Sequence, residues 1–174
     1  MQYTYLLHHL VEASAGRAPN HVALTYGSEH VTYDELHQRI VNFAAALMQH
    51  GLKRGERVAI YLDKRIETVV AMFGTTAAGG VFVPVNPILK GEQVRYILQD
   101  CGVRVLVTSP ERLVALGDAL DSCTELQYVL LTGERPGAAS PGKTLHDWAS
   151  WTATGAANPQ SGHRIIDSDL AAIL

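Results

Sequence analysis

The sequence predicts an α/β fold, with a mostly parallel sheet covered by helices on both faces and a β-hairpin near the N-terminus. From Gly55 onward, short apolar runs alternate with segments of helical periodicity. Near-continuous apolar strands separated by amphipathic helices are typical of a parallel sheet that is buried on both faces. The hairpin is indicated by two β-rich runs around a glycine turn. The length of 174 residues fits one α/β domain, to which we assign residues 1–174.

The N-terminal segment is predicted to form a helix followed by the hairpin. Apolar residues at helical spacing indicate a helix that stops at Gly16. Residues 22–26 and 29–32 are the two predicted strands of the hairpin. Gly27-Ser28 between them suits a type II′ turn, because glycine adopts a positive φ at no steric cost.

A second helix is predicted directly after the hairpin. Thr32 and Glu35 have the spacing of a capping box, in which each side chain bonds the backbone N–H of the other residue. Gly51 supplies the left-handed position at which the helix ends. The apolar residues that fall on one face of this helix are Leu36, Ile40, Phe43 and Leu47.

The parallel sheet is predicted from the region that follows. Its strands are residues 57–62, 81–85, 103–108 and 127–132. The first intervening helix ends at Gly79-Gly80, the second covers residues 91–101, and the third opens at Ser109-Pro110. Residues 133–144 are rich in Gly, Pro, Ala and Ser and form a predicted surface loop. A short helix around residues 145–151 is expected after it.

Composition and charge exclude several classes of protein. The formal net charge is −3, and acidic and basic residues are scattered, which argues against a nucleic-acid or anionic-membrane partner. The N-terminus does not have the pattern of a signal peptide, and no run of about 18 apolar residues could span a membrane. Cys101 and Cys123 lack CxxC spacing. They are predicted to pack in the core of a protein of the reducing cytoplasm.

The histidines do not form a recognisable metal motif. His8 and His9 are neighbours, so on a helix they point to different sides, unlike the two histidines of HExxH. Solvated structural roles are predicted for the other histidines, which are His21, His30, His37, His50, His146 and His163. The sequence also contains no GxxxxGK[ST] phosphate loop, no GxGxxG and no GxSxG.

Asp63-Lys64-Arg65 is the one cluster that invites a functional interpretation. It follows a predicted strand and precedes a helix, where open α/β sheets tend to bind ligands, and its two cations could hold a phosphate. The alternative is that Asp63 caps the helix while Lys64 and Arg65 are solvated. The pattern favours this alternative, because positive charge at a helix N-terminus opposes the helix dipole.

Several motifs in this order resemble those of the AMP-forming, adenylate-forming enzymes, which include acyl-CoA synthetases, luciferases and peptide-synthetase adenylation domains. Residues 31–36 (VTYDEL) resemble the first core motif of the family, and residues 77–87 (AAGGVFVPVNP) resemble the second. Residues 19–24 and 55–60 are similar to the stretches around them. Residues 62–86 also resemble acyl-CoA ligases associated with exosortase systems. The implied fold is part of the N-terminal subdomain of an acyl-CoA synthetase-like enzyme.

The resemblance implies a chemistry of two steps. A carboxylate attacks the α-phosphorus of ATP to give an acyl-adenylate, and a thiol of coenzyme A or of a carrier protein then takes the acyl group. The family uses ATP, Mg²⁺ and a lysine for this. The phosphate loop, which is rich in Ser, Thr and Gly and ends in Pro-Lys-Gly, corresponds to residues that would follow 169–174. No catalytic, cofactor-binding or metal-binding residue is therefore assigned to this chain.

The leading hypothesis is an inactive N-terminal fragment of such a ligase, truncated before its phosphate loop, whose partner is the missing C-terminal remainder. Such a fragment is expected to expose apolar surface and to self-associate. Two alternatives remain open. One is a stand-alone, non-enzymatic α/β module that binds a partner or a small ligand, and the other is one chain of a split ligase. The acid substrate, the thiol acceptor and the oligomeric state are left open.

Overall fold

The computed structural model describes residues 5–133, 143–157 and 163–174. The helices in this part of the chain are α1 (His9–Arg17), α2 (Tyr33–Gln49), α3 (Ile66–Ala77), α4 (Gly91–Asp100), α5 (Pro110–Leu116) and α6 (Trp148–Ala157). The strands are β1 (Val22–Tyr26), β2 (Glu29–Thr32), β3 (Arg57–Tyr61), β4 (Val81–Pro84), β5 (Val103–Thr108), β6 (Tyr128–Leu131) and β7 (Thr144–Asp147). A short 3-10 helix, Gly117–Leu120, follows α5.

The main sheet has five strands in the order β4-β3-β5-β6-β7, and every neighbouring pair is parallel. Strands β1 and β2 form a separate antiparallel hairpin. The predicted fold class is therefore confirmed, and the four predicted strands of the parallel sheet form within a residue or two of their expected bounds.

The region after the predicted loop differs from its prediction. A helix was expected around residues 145–151, but Thr144–Asp147 form β7, which pairs with β6 at the sheet edge. Helix α6 begins only at Trp148, and the Asp147 carboxylate accepts a hydrogen bond from the Ser150 N–H at 2.8 Å. The helix prediction was wrong for residues 145–147, because pairing with β6 rather than the local sequence determines their conformation. Of the predicted loop 133–144, residues 134–142 lie outside the described residues, and Thr144 belongs to β7.

Local signals at the N-terminal half are confirmed. Gly27 has a φ of 60° and no non-glycine residue of the described chain has a positive φ, which is the pattern of a II′ turn. The Thr32 hydroxyl accepts from the Glu35 N–H at 3.3 Å, while the Glu35 carboxylate accepts from the Thr32 N–H at 2.8 Å. Gly51, with a φ of 79°, follows the last turn of α2. This local geometry fixes where α2 begins and ends.

The sheet separates two hydrophobic cores. The larger core contains Phe43 of α2, Val70 of α3 and Trp151 of α6, all packed against one face of the sheet. The smaller contains Leu98 of α4 and Leu113 of α5 against the other face. Helices thus cover both faces, as the apolar strands require. Among the described residues, no helix has both the length and the apolar character needed for a membrane crossing.

Helix α2 approaches α3 and α6 at glycines. A Cβ built on Gly155 of α6 would lie 2.8 Å from the Ala46 nitrogen and closer still to the Asn42 carbonyl oxygen. A Cβ on Gly74 of α3 would lie 2.7 Å from Cδ1 of Phe43. The backbones of α2 and α6 are therefore in direct contact at Gly155.

Candidate functional site

The carboxyl edge of the sheet, where β3, β4 and β5 end, is the place to look for a site in an open α/β fold. The connections that leave this edge are 62–65 after β3, 85–90 after β4 and Ser109 after β5. The Ser109 hydroxyl accepts from the Arg112 N–H at 3.4 Å and opens α5, with Pro110 at its first position. The predicted start of this helix is confirmed.

Arg112 of α5 ties the three connections together. One guanidinium nitrogen donates to the Asp63 carboxylate at 2.7 Å and another to the Pro87 carbonyl at 2.5 Å. The guanidinium lies 4.9 Å from the centre of the Tyr61 ring, and the Tyr61 hydroxyl donates to the Leu89 carbonyl at 2.7 Å. We call these contacts the brace, because they hold the connections at the carboxyl edge together. The positive charge of Arg112 is paired inside the protein by the same contacts.

The second family-like motif has a structural role at this edge. The Asn86 side-chain oxygen accepts from the Ile88 N–H at 3.1 Å, and the Leu89 N–H bonds the Asn86 carbonyl at 3.1 Å. The Val85 N–H bonds the Ile60 carbonyl at 2.9 Å, which extends the pairing of β3 with β4. Asn86 thus shapes the turn that leads from β4 towards α4.

The capping interpretation of Asp63-Lys64-Arg65 is wrong. The residue at the N-cap of α3 is Arg65, which makes no side-chain capping bond, and the Asp63 carboxylate instead faces Arg112. Arg65 is not solvated either, because it pairs with Glu67 at 2.7 Å, whereas Lys64 is exposed as expected. This pairing also weakens the hypothesis that Lys64 and Arg65 hold a phosphate, because the Arg65 guanidinium is already bound to Glu67. The partner of Asp63 lies 49 residues along the chain, so no local pattern could have revealed it.

His21, His30 and His163 are exposed, as predicted, but His50 and His146 are placed differently from the prediction. The rings of His8 and His9 are 4.7 Å apart, and burial, followed by the neighbouring His9, lowers the pKa of His8 to about 4. His50 and His146 are half-buried rather than solvated, and His50 stacks on Trp151 at 3.6 Å between ring centres. Burial and the nearby His50 also lower the pKa of His146. Neutral rings are the form that such apolar surroundings favour.

Both cysteines are free thiols in the described structure. Cys123 is buried, as predicted, while Cys101 is half-buried at the end of α4. Burial raises the pKa of both thiols. A protonated, apolar thiol suits core packing better than redox or nucleophilic chemistry.

A C-terminal segment, here called the strap (residues 163–173), runs from the amino edge of the sheet to β4. His163 Nε2 lies 2.9 Å from the Leu52 carbonyl, and Arg54 pairs with Asp169. The Phe82 N–H then bonds the Ala171 carbonyl at 3.0 Å, and the Ile173 N–H bonds the Phe82 carbonyl at 3.1 Å. These bonds make the strap parallel to β4, so it is directed towards the carboxyl edge.

At the carboxyl edge, two guanidinium groups of the described chain are already engaged within the protein. The guanidinium groups nearest the carboxyl edge, Arg112 and Arg65, already pair with Asp63 and Glu67. Within residues 5–133, 143–157 and 163–174, no group of three or more His, Cys, Asp or Glu side chains could hold a metal ion. What this part of the chain supplies is a braced sheet edge together with a strand that leads to it.

Comparison with known proteins gives the family. The chain is 31% identical over 125 residues to bacitracin synthase 1 of Bacillus licheniformis, a match that covers 71% of this chain and 2% of the synthase. Coronafacic acid ligase from Pectobacterium brasiliense superposes with a TM-score of 0.86 at 18% identity, over 97% of this chain and 33% of the ligase. The anthranilate CoA ligase AuaEII, in complex with anthranoyl-AMP, gives 0.79 at 24% identity, over 88% and 29%.

The chain therefore spans a small part of the curated synthetases and about a third of these ligases. The identities to the two ligases are low, and their superpositions establish the shared fold. The family profile described as "AMP-binding enzyme" matches residues 11–174. By that match the chain belongs to the family of AMP-binding, adenylate-forming enzymes.

Proposed function

We propose that this chain is the N-terminal part of a longer AMP-forming ligase that activates a carboxylate with ATP. The product of that step is an acyl-adenylate, whose acyl group passes to a thiol. The family profile supports this, as does the fold shared with a ligase that was crystallised with anthranoyl-AMP. In this proposal residues 1–174 form one α/β domain that acts as scaffold and holds no catalytic residue.

The observation that carries the proposal is the direction of the strap. Ala171 and Ile173 pair with β4 in parallel, so a chain continuing beyond them would reach the carboxyl edge. In the ligases that the sequence resembles, the Ser/Thr/Gly-rich phosphate loop comes directly after the corresponding strand. The brace around Arg112 would give that loop a rigid neighbour. Asp63 already neutralises the charge of Arg112.

Several finer features belong to the proposal as well. ATP, Mg²⁺ and coenzyme A would be bound by the remainder of the ligase. Relatives of both kinds, a peptide synthase and a CoA ligase, leave the acceptor as either coenzyme A or a carrier-protein thiol. The ligases associated with exosortase systems remain the subgroup that residues 62–86 suggest. The free thiols of Cys101 and Cys123 fit the cytoplasm as its compartment.

The test is carboxylate-dependent ATP–pyrophosphate exchange. The protein encoded by the gene up to its own stop codon is expected to catalyse exchange, because it would contain the phosphate loop. The 174-residue chain alone is expected to show none. Exchange by the 174-residue chain would refute the scaffold assignment. A stop codon after Leu174 without a partner chain that restores exchange would favour the stand-alone module, whereas restoration by a second chain would identify a split ligase.

We further propose that the isolated 174-residue chain self-associates. Large apolar side chains are exposed, with Ile88 at 82%, Tyr96 at 65% and Leu170 at 61% of their surface. Exposed apolar groups favour association between chains. Sedimentation velocity over a range of concentrations tests this. A monomer at the highest concentration, with no binding of a hydrophobic dye, would contradict it.

A further inference from the structure

The strap is held to the body of the protein by few contacts, and the ion pair between Arg54 and Asp169 is the most elaborate of them. Arg54 Nε donates to Asp169 Oδ2 at 2.9 Å, and Arg54 Nη2 donates to Oδ1, so the pair is bidentate. Asp169 also closes a turn of its own. Its carboxylate accepts from the Ile166 N–H at 3.1 Å, and its N–H donates to the Ile166 carbonyl at 3.0 Å.

The ion pair lies immediately before the strand-like part of the strap. Asp169 precedes Ala171 by two residues, and Ala171 and Ile173 make the two backbone bonds with Phe82. Ala172 packs into the core on the α3 face of the sheet, and Ile173 into the core on the α4 face. A slip by one residue would exchange these two faces. Something must therefore fix the register, and two hydrogen bonds alone define it weakly.

Arg54 is well placed to fix it. It belongs to the connection between α2 and β3, whose Gly55 N–H bonds the Gly79 carbonyl at 2.8 Å, just before β4 begins. The Asp169 carboxylate is thus bound to the same connection that holds the residues just before β4. Arg54 and Asp169 are separated by 115 residues, so this contact links the connection that precedes β3 to the strap.

We propose that Arg54 and Asp169 are positioning residues, whose ion pair sets the register of the strap against β4. This rests on the proposed function, in which the strap leads into the ATP-handling loop. The register then fixes how far along the sheet that loop begins. Neither residue touches the nucleotide in this proposal, and their effect on the reaction passes through the strap.

An exposed ion pair contributes little to global stability, so the effect is expected to be local. We expect the strap to open without unfolding of the sheet, with an opening free energy set by a handful of contacts. The bidentate pair between Arg54 and Asp169 contributes a large share of that opening free energy. The amides of Phe82 and Ile173, whose N–H groups form the two bonds between strap and β4, report the opening directly.

Hydrogen exchange of these two amides in the 174-residue chain tests the register role. In Arg54→Met, both amides are expected to exchange faster, by up to about five-fold, because the bidentate ion pair that holds the strap is lost. Arg54→Lys keeps the charge but loses the fork, and is expected to lie between. Adding Asp169→Asn to Arg54→Met is expected to have little further effect on these amides.

The matched control is Arg39→Met, which removes the pair between Arg39 of α2 and Glu29 of β2; the Arg39 side chain is 44% exposed, against 46% for Arg54. That variant is expected to leave both amides unchanged. Unchanged exchange of Phe82 and Ile173 in Arg54→Met would overturn the inference, as would equal acceleration in the Arg39→Met control.

The positioning role is tested in the longer ligase by ATP–pyrophosphate exchange. Arg54→Met is expected to raise the KM for ATP while the KM for the carboxylate stays the same, because the nucleotide loop is the part of the ligase that would follow the strap directly. Normal kinetics despite fast amide exchange would overturn the positioning role. A longer chain with no exchange activity in its wild-type form would overturn the proposed function itself, and the amide measurements would still decide whether the ion pair sets the register.

Discussion

Gly155→Ala is expected to weaken the packing of α6 on α2. The added methyl carbon would lie 2.8 Å from the Ala46 nitrogen and closer to the Asn42 carbonyl oxygen, well inside the usual contact distance of about 3.5 Å. Both neighbours are backbone atoms of α2, so no side chain can rotate away. The helices must separate, which loosens the packing of Trp148 on Phe43, whose ring centres are now 4.8 Å apart.

The magnitude follows from two opposing effects. Overpacking a tight contact costs about 3 kcal/mol when backbone must shift. Alanine in place of glycine within a helix returns about 1 kcal/mol. The net loss in the free energy of unfolding is thus about 2 kcal/mol, which corresponds to a decrease in Tm of about 4–8 °C for a chain of this size.

Thermal unfolding followed by far-UV circular dichroism measures this change. The matched control is Gly16→Ala in α1, where a Cβ would meet nothing within 4 Å. That variant gains helix propensity without a clash and is expected to have a Tm equal to or above the wild-type value. If Gly155→Ala is as stable as Gly16→Ala, the close approach of α6 to α2 is refuted.

The remaining predictions concern the capping box and a half-buried imidazole. Thr32→Ala removes the acceptor for the Glu35 N–H and is expected to lower the free energy of unfolding in urea by about 1 kcal/mol. Thr32→Ser keeps the hydroxyl and is expected to cost much less. Equal losses in the two variants would refute the cap. His8 has a folded-state pKa of about 4 against an ordinary 6.5, so the unfolded chain binds the proton first and stability falls as pH decreases through that window. His8→Phe is expected to flatten this decrease in urea midpoint, leaving the smaller part due to His146, and an unchanged slope would contradict the assignment.

Features set by neighbouring residues were predictable from the sequence. The capping box at Thr32, the turn at Gly27 and the opening of α5 at Ser109 each depend on atoms within four residues. The apolar strands were equally predictable, because burial on both faces of the sheet requires an unbroken apolar run. The fold class therefore followed from local patterns together with the alternation of strands and helices.

Features that depend on distant partners were not predictable. Thr144–Asp147 become a strand only because the edge of β6 is open to them, and the residues themselves carry no strong β signal. The carboxylate of Asp63 finds Arg112 on α5, and that of Asp169 finds Arg54 across 115 residues. A single sequence contains no trace of such pairings, which is why the carboxyl-edge brace and the strap emerged only from the structure.

The placement of the aromatic rings on α6 gives the protein an optical reporter. The sequence has two tryptophans, and both lie on this one helix, with Trp148 stacked on Phe43 and Trp151 stacked on His50. Tryptophan fluorescence consequently originates at a single interface. Quenching or a red shift reports separation of α6 from α2, while events at the strap and the carboxyl edge remain spectrally silent.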